Sequence, residues 1–174
     1  MGGEGGVEIT VPASLQALQH NPELELILVG DEQRLSPLLH NAEQSDLTRF
    51  RVLHTDQFIT DADKPRNVLR SGRRSSMFMA AELVKSGEVN AMVSAGNTGA
   101  LLMIGRHLLK TLDGIQKPAI VATIPGAVSQ SYLLDVGKSR VRSPSIVRIC
   151  SHGVGTGGIS VDQTGQGRSV KHWL

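Results

Sequence analysis

The stretch VSAGNTGALLMIG, residues 93–105, joins a short apolar run to a segment with helical spacing. Within it, Gly96 and Gly99 permit a tight turn and let a ligand approach the backbone closely. A glycine-rich turn that leads from a strand into a helix is typical of open α/β sheets, where ligands bind beyond the carboxyl ends of the strands. The turn therefore predicts an α/β fold and is the first place to look for a ligand.

The polar residues of this turn indicate which ligand would suit it. Ser94, Asn97 and Thr98 offer hydroxyl and amide groups, and Asn97 or Thr98 can cap the helix that follows. The partial positive charge at a helix start favours an anion such as phosphate. The stretch has neither the Gly-Lys-Ser/Thr ending of a Walker A loop nor the GxGxxG pattern of dinucleotide sites. The same residues also fit a capped turn without a ligand, so both interpretations stay open here.

Residues on both sides of the turn predict strands and helices in alternation. Apolar runs predict strands at 24–29, 50–55, 91–93, 119–124 and 132–136. Helical spacing predicts helices that start near Pro12, run through 35–39, and cover 75–85 and 98–110, with polar turns at 56–65. This order favours right-handed βαβ units and a parallel or mixed sheet with helices on both faces.

A second candidate anion site precedes the predicted helix at 75–85. Arg70, Arg73 and Arg74 stand ahead of Ser75 and Ser76, which begin that helix. Guanidinium groups beside a helix start combine positive charge with hydrogen-bond donors, as phosphate requires. A solvated basic turn is the alternative. Two such turns in one predicted sheet favour the anion-site interpretation more than either does separately.

Composition narrows the class of protein. The chain has 174 residues, enough for one domain, and is 40% hydrophobic but only 3% aromatic, so Leu, Val, Ile and Ala must build the core. Cys150 is the one cysteine, which excludes an internal disulfide. No apolar run reaches the ~18 residues of a membrane span, and the first residues lack the pattern of a secretory signal. We therefore expect a cytoplasmic protein.

Metal and cofactor chemistry find no support in the sequence. The six histidines are scattered without the spacing of metal ligands. No serine lies in a GxSxG elbow, which argues against a serine hydrolase. We expect neither a metal nor a cofactor.

Several segments together resemble one bacterial protein family. These are MGG at 1–3, VPASLQAL at 11–18, LILVGD at 26–31, RSGRRSSMFMAAELVKSGEVNAMVSAGNTGALL at 70–102, GIQKPAIVATIP at 114–125 and LLDVG at 133–137. In this order they resemble the bacterial phosphate acyltransferase family, PlsX, through residues 1–137. The resemblance implies a three-layer αβα sandwich with a mostly parallel sheet, similar to isocitrate dehydrogenase and phosphotransacetylase. That fold would be incomplete here, because Met1-Gly-Gly already resembles a loop that follows a strand.

The resemblance also implies an activity and partners. Members of the family convert a fatty acyl-[acyl-carrier-protein] and inorganic phosphate into acyl phosphate, which a glycerol-3-phosphate acyltransferase then uses in phospholipid synthesis. They are homodimers that associate peripherally with the inner face of the membrane. No nucleic acid partner is expected.

On this resemblance the two turns carry the reaction. We expect Asn97 and Thr98 to be catalytic and Ser94, Gly96 and Gly99 to bind, together holding phosphate or the reacting carbonyl. We expect Arg70, Arg73, Arg74, Ser75 and Ser76 to supply charge and donors for phosphate or for the phosphopantetheine arm of the carrier. No general base is identified, because a thioester and phosphate need chiefly positioning and electrostatic stabilisation.

After Gly137 the sequence departs from the family. Residues 1–137 contain 12 Lys/Arg and 15 Asp/Glu, whereas residues 138–174 contain 6 Lys/Arg and only Asp162. With suitable synonymous codons, a one-base shift converts 149–160 into FAVMGSVLAAS and 167–174 into VGLLNIG, both family-like. We therefore expect 1–137 to be the N-terminal part of the α/β domain and 138–174 to be a frameshifted tail. A genuine basic arm for nucleic acid or membrane is the alternative.

Two further function classes are open to an α/β protein of this kind. One is a non-catalytic phosphate- or nucleotide-binding α/β module, which the two turns would also suit. The other is a dehydrogenase related by fold alone, which lacks a dinucleotide fingerprint in this sequence.

Overall fold

The computed structural model describes residues 1–40, 48–111, 118, 120–125, 130–134, 158–160 and 171–173. The chain divides into two units, Met1–Leu109 and Lys110–Leu174. All the candidate site residues lie in the first unit, which is α/β with a small parallel sheet and helices.

The first unit alternates helices with two strands before three helices follow in succession. Its elements are α1 (Gly6–His20), β1 (Leu26–Gly30), α2 (Glu32–Leu39), β2 (Phe50–His54), α3 (Pro65–Ser71), α4 (Ser76–Ser86) and α5 (Thr98–Leu108). The second unit contains β3 (Val121–Pro125), β4 (Gln130–Leu134), β5 (Gly158–Ser160) and β6 (Lys171–Trp173).

Strands β1 and β2 form a parallel pair connected through α2. Their register runs from Leu26 opposite Phe50 to Gly30 opposite His54. The apolar runs at 24–29 and 50–55 are thus confirmed as strands, each somewhat shorter than predicted. Both strands end at the same edge, so the loops that follow Gly30 and His54 start side by side, as in other βαβ units.

Two hydrophobic clusters hold the first unit together. In one, α1 and α2 bury Val7, Val11 and Leu35 and pack against Leu28 and Val52, which face each other across the strand pair.

In the other cluster, α3, α4 and α5 bury Val68, Phe78, Ala81, Ala100 and Ile104 against one another. Burying a side chain the size of valine or phenylalanine stabilises by about 1.5–3 kcal/mol. The second cluster fixes the starts of α4 and α5, where the predicted site residues lie.

Helix α1 starts earlier than the sequence predicted. Pro12 lies inside the helix instead of in its first turn, and the helix begins at Gly6. The hydroxyl of Thr10 donates to the carbonyl of Gly6 at 2.8 Å within this added turn. Proline lacks an N–H, so the carbonyl of Glu8, four residues earlier, loses its usual helical donor. The prediction was wrong because proline is common at the first helical position and was assigned there.

The predicted strand at 91–93 does not form. Residues 91–95 have no assigned element, and the side chain of Val93 is 99% exposed. In the part of the chain that the structure describes, β1 is hydrogen-bonded only to β2, so this segment has no neighbouring strand. An apolar run needs such a neighbour to become a strand, whereas a helix satisfies its own backbone.

Two further elements differ from the sequence prediction. Helix α3 was not predicted, although Pro65 occupies its first turn as proline often does. Strands β3 and β4 are antiparallel, with Val121 opposite Leu134, so these two strands do not form the parallel pair that the sequence favoured. The predicted strand ends at 119 and 135–136 lie outside the described residues. Strands β5 and β6 form another antiparallel pair.

Within the described ranges, no helix is both long enough and apolar enough to serve as a membrane span.

Candidate functional site

Three loops of the first unit meet in front of α5, and we call this place the loop junction. The three loops are 1–5, 55–64 and 94–97. The backbone of Gly2 contacts the carbonyl of Ile59 so closely that a Cβ atom would overlap it. A Cβ atom on Gly3 would lie 2.7 Å from the carbonyl oxygen of Ala95, closer than a real side chain approaches. Glycine at both positions therefore allows the loops to meet.

Asn97 binds two of these loops together. Its Oδ1 accepts a hydrogen bond from the amide of Ala100 at 3.0 Å and so caps α5, as predicted. Its Nδ2 donates to the carbonyl oxygens of Thr60 at 3.1 Å and Asp63 at 3.2 Å. The Nδ2 donor group and the Oδ1 acceptor of Asn97 are thus both hydrogen-bonded within the protein. Asn97 fixes where α5 begins relative to the loop after β2.

The first amides of α5 are open to a ligand. In the described residues, the N–H groups of Thr98 and Gly99 have no hydrogen-bond acceptor, and the side chain of Thr98 is exposed. Helices leave such amides unsatisfied at their N-termini, where they bind anions. The structure therefore offers two adjacent backbone donors and a hydroxyl at the predicted position.

The remaining residues of this turn support its shape. The hydroxyl of Ser94 accepts a hydrogen bond from the amide of Gly96 at 3.3 Å. A Cβ atom on Gly99 would lie 2.8 Å from Cγ of Pro65, so the first turn of α5 packs directly on α3.

The start of α4 is capped by Ser75. Its hydroxyl accepts from the amide of Phe78 at 3.3 Å and donates to the carbonyl of Gly72 at 2.6 Å. The residue is 1% exposed, so its side chain acts as an internal cap. The amide of Ser76 donates to the carbonyl of Gln57 at 2.9 Å, which attaches α4 to the loop after β2.

The three predicted arginines are exposed on and after α3. Nε of Arg73 donates to the carbonyl of Leu69 at 3.3 Å, so this side chain turns back along the helix. Thr55, which is buried, donates from its hydroxyl to the carbonyl of Arg74 at 2.6 Å. The side chains of Arg70 and Arg74 make no hydrogen bond or ion pair with the described residues.

The two predicted turns lie next to each other. A Cβ atom on Gly96, just before α5, would lie 3.0 Å from Cε of Met77 in the first turn of α4. The starts of α4 and α5 therefore lie close together, and the partial positive charge at a helix start favours an anion nearby. The sequence predicted both turns but had no signal for their contact, since Met77 and Gly96 are far apart in the chain.

A cleft of about 350 Å³ opens beside the loop junction. It is lined by Asp56, Gln57, Phe58, Ile59, Asp63, Asn67, Val68, Ser71, Gly72 and Ser75. Of the predicted site residues, only Ser75 lines it. Asp56 and Asp63 give the cleft two carboxylates, which disfavour an inorganic anion inside it. The open amides of α5 and this cleft are thus separate features that share the loop after β2.

Asp63 organises that shared loop and was missed by the sequence reasoning. Its Oδ2 accepts from the amide and from the hydroxyl of Thr60, both at 2.7 Å. These hydrogen bonds, first from the backbone and then from the side chain, lower the pKa of the Asp63 carboxyl. A Thr-x-x-Asp sequence is a local signal for such a turn. The hydrogen bonds from Asn97 to the carbonyls of Thr60 and Asp63 join residues more than 30 positions apart, so the sequence gives no local signal for them.

Among the residues that the structure describes, no three His, Cys, Asp or Glu side chains come together in a way that could bind a metal ion.

The described part of the chain is an α/β protein in which two capped helix starts lie close together, an arrangement that suits an anion. Comparison with known proteins then gives the family. A family model described as "Fatty acid synthesis protein" matches residues 1–147. The chain belongs to this family, as the resemblance indicated.

Individual relatives agree with the family. The chain is 46% identical over 138 residues to a phosphate acyltransferase of Shewanella sp. (strain ANA-3), covering 79% of this chain and 40% of the relative. It is 47% identical over 137 residues to a phosphate acyltransferase of Halorhodospira halophila, with the same coverage of each chain. A phosphate acyltransferase of Shewanella sp. (strain W3-18-1) is 48% identical over 139 residues. The chain thus spans 40% of the length of these relatives.

Proposed function

We propose that this chain is the phosphate-binding part of an acyltransferase that moves a fatty acyl group from acyl-[acyl-carrier-protein] to inorganic phosphate. The observation that carries the proposal is the adjacency of the starts of α4 and α5, with the amides of Thr98 and Gly99 open. The relatives named phosphate acyltransferase support it.

In the proposed reaction, an oxygen of hydrogen phosphate attacks the carbonyl carbon of the thioester. The carbonyl oxygen becomes an oxyanion, the C–S bond breaks, and the products are acyl phosphate and the carrier thiol. The proton of hydrogen phosphate ends on the departing sulfur, so the balance requires no separate base. The protein has to hold two negatively charged groups, the nucleophile and the developing oxyanion, in one orientation.

The residue roles follow from the contacts. The amides of Thr98 and Gly99 and the hydroxyl of Thr98 bind phosphate or the oxyanion. Asn97 is a positioning residue, because its side chain is used by Ala100, Thr60 and Asp63.

The other predicted residues have supporting roles. Ser94 and Gly96 shape the turn, while Ser75 and Ser76 start α4 beside it. Arg70, Arg73 and Arg74 supply positive charge at its edge.

The finer features of the family are part of the same proposal. They are the three-layer αβα sandwich of the isocitrate dehydrogenase and phosphotransacetylase type, the homodimer, and the peripheral membrane association. They also include the cytoplasmic location and the downstream glycerol-3-phosphate acyltransferase. The parallel β1–α2–β2 unit supports the fold, since such units build sandwiches of this type.

We also propose that residues 138–174 are a frameshifted tail after the N-terminal part of the α/β domain, residues 1–137, although the family model extends to residue 147. The excess of basic residues after Gly137 and the family-like strings in a shifted frame support this. Sequencing the gene across codon 137 tests it. A single shift should restore a long open frame that continues in family-like sequence, and an uninterrupted frame without such a continuation would contradict the proposal.

The activity is tested with two variants of Thr98. Thr98→Ala removes the hydroxyl, whereas Thr98→Pro also removes the amide donor at a helix position that tolerates proline. Asn97 has φ −54° and ψ 108°, a conformation that a residue before proline adopts readily. We expect Thr98→Pro to lower phosphate-dependent thioester loss by about 100-fold or more, with acyl phosphate trapped by hydroxylamine as the readout.

Thr10→Ala is the matched control, because Thr10 is also exposed but lies in α1. It should leave turnover unchanged. Undiminished turnover in Thr98→Pro would refute the assigned role of the amide. Phosphate binding without thioester loss, in this chain and in one with the frame restored, would instead favour the non-catalytic phosphate-binding module.

A further inference from the structure

Thr55 carries a buried hydroxyl that the proposed reaction leaves without a role. The residue follows directly after β2 and is 6% exposed. Its amide donates to the carbonyl of Gly30 at 2.9 Å, just beyond the register of the strand pair. The backbone at Thr55 is therefore fixed to the edge of the sheet, at the point where the loop after β2 begins.

The hydroxyl of Thr55 joins two other segments at this edge. It donates to the carbonyl of Arg74 at 2.6 Å, in the turn between α3 and α4. It also accepts from the amide of Gln57 at 3.2 Å, further along its own loop. A buried hydroxyl that both donates and accepts is costly to remove, because its partners then lose their hydrogen bonds. The hydroxyl of Thr55 thus fixes the course of the loop relative to the turn before α4.

A second contact attaches the same end of the loop to α4. The carbonyl of Gln57 accepts from the amide of Ser76 at 2.9 Å. The amide of Phe78 is already hydrogen-bonded to the hydroxyl of Ser75. These amides at the start of α4 are therefore used within the protein, whereas the first amides of α5 are open in the described residues. The start of α4 thus acts on the site through its position, and α5 supplies the backbone donors.

The other end of the loop is attached to α5. The carbonyls of Thr60 and Asp63 accept from Nδ2 of Asn97 at 3.1 and 3.2 Å, and Asn97 caps that helix. Between the two ends, Ile59 is 4% exposed and belongs to the hydrophobic cluster that includes α4 and α5. One loop, held at both ends and in its middle, therefore connects the starts of the two helices and sets their separation.

We propose that Thr55 is a positioning residue for the anion site, acting through the loop after β2. This rests on the proposed function, which places the anion at the open amides of α5. Without the hydroxyl, the carbonyl of Arg74 and the amide of Gln57 lose their partner, and the loop is released at the end that carries α4. The two helix starts then take a range of separations, and a displacement of about 1 Å is enough to weaken the hold on an oriented group.

The test is the Kd of inorganic phosphate, measured by equilibrium dialysis on the full 174-residue chain. Thr55→Val replaces the hydroxyl by a methyl group of similar size, whereas Thr55→Ser keeps the hydroxyl. We expect Thr55→Val to raise the Kd by about tenfold and Thr55→Ser to change it by less than about threefold. The matched control is Thr10→Val, because Thr10 also donates to a carbonyl but is exposed in α1. It should leave the Kd unchanged.

Action through the shared loop is tested by combining variants. Thr55→Val releases the end of the loop at α4, and Asn97→Asp releases the end at α5. A loop that is already free at one end transmits little when the other end is released. The Kd of the double variant should therefore be at least about threefold below the value expected if the two effects multiplied. Thr10→Val combined with Asn97→Asp should give the multiplied value.

A second measurement requires no ligand. Because Thr55 holds the carbonyl of Arg74, trypsin should cleave the bond between Arg74 and Ser75 at least about fivefold faster in Thr55→Val than in the wild type. Cleavage after Arg34 in α2 is the internal reference and should not change. If circular dichroism shows that Thr55→Val is unfolded, Thr55→Ala decides by the same criteria, since it removes the hydroxyl and places no methyl group against that carbonyl.

An unchanged phosphate Kd in Thr55→Val, or an equal rise in Thr55→Ser, would overturn the proposal. Faster cleavage with an unchanged Kd would also overturn it, since Thr55 would then stabilise the turn without positioning the site. Effects that multiply in the double variant would contradict action through the shared loop. A wild type that binds no phosphate would refute both the anion site and the role of Thr55. Phosphate binding without thioester loss would refute the proposed acyl transfer and leave that role intact.

Discussion

Asn97 is the residue on which the loop junction most depends. Its side chain caps α5 through Ala100 and bridges to the carbonyls of Thr60 and Asp63. The variant Asn97→Ala loses both functions and should lower the free energy of unfolding by about 1–2 kcal/mol, measured in urea. The variant Asn97→Asp keeps an acceptor for the cap but loses the two donors.

The pair of variants separates the two roles of Asn97. In the proposed reaction, Asn97→Asp should recover much of the stability yet lower turnover, because the carboxylate no longer attaches the turn to the loop after β2. Full activity in Asn97→Asp would mean that the bridge to Thr60 and Asp63 has no part in positioning.

Asp63 makes the stability of the same loop depend on pH in the acidic range. Hydrogen bonds from Thr60 lower the pKa of its carboxyl in the folded state. A lowered folded-state pKa contributes stability that is fully present above the unfolded-state pKa and is lost as the pH falls through the folded value. The affected window therefore lies below about pH 4, the usual value for aspartate.

The variant Asp63→Asn should remove this part of the acid dependence. Thermal melts between about pH 2 and about pH 6 should show a shallower decline below pH 4 than in the wild type. Asp61→Asn is the control, since the carboxylate of Asp61 accepts no hydrogen bond from the described residues. If the melting temperatures of both variants and the wild type decline in parallel as the pH falls, Thr60 does not stabilise the ionised carboxylate of Asp63.

At the scale of elements, the end of α1 is held by a residue from another part of the chain. Nη1 of Arg49 donates to the carbonyls of Asn21, Pro22 and Leu24 at 2.9, 3.1 and 3.1 Å. Its Nη2 donates to the carbonyl of Leu18 at 3.0 Å. One planar guanidinium thus satisfies the last turn of α1 and the connection to β1, just before β2 begins.

Replacing Arg49 should destabilise the first unit more than replacing a neighbouring arginine. We expect Arg49→Ala to lower the free energy of unfolding by about 1.5–3 kcal/mol, because charged donors to carbonyls are lost. Arg51→Ala removes only the exposed ion pair with Glu88 and should cost at most about 1 kcal/mol. If the two variants lose the same free energy of unfolding in urea, Arg49 acts as an ordinary surface cation.

The elements that sequence could predict are those that carry their own signals. Ser75 and Ser76 lie at the start of α4, and Asn97, one of the two caps considered, caps α5, because a cap depends on residues two or three positions away. The strand at 91–93 failed because a strand needs a partner that the sequence does not identify. Likewise, the contact between Met77 and Gly96 and the bridge from Asn97 to Thr60 depend on tertiary packing.

At the scale of the whole molecule, every described helix and both hydrophobic clusters lie in residues 1–109. The described helices are therefore supported by contacts within the first unit. A chain that stops after Leu109 should keep the molar helical signal of the full chain in far-ultraviolet circular dichroism, within about one fifth. Loss of most of that signal would mean that residues 110–174 are needed to form the clusters.

The exposed segment around Val93 has a consequence for the behaviour of the chain in concentrated solution. Residues 91–95 have no assigned element and Val93 protrudes, so among the described residues this segment offers backbone to which another molecule can add a strand. Association through this segment should therefore make turbidity increase with protein concentration. The variant Val93→Lys, which places a charge on the segment, should delay that increase. Residues 91–95, which join no sheet in the described part of the chain, would thus govern how long the protein stays monodisperse.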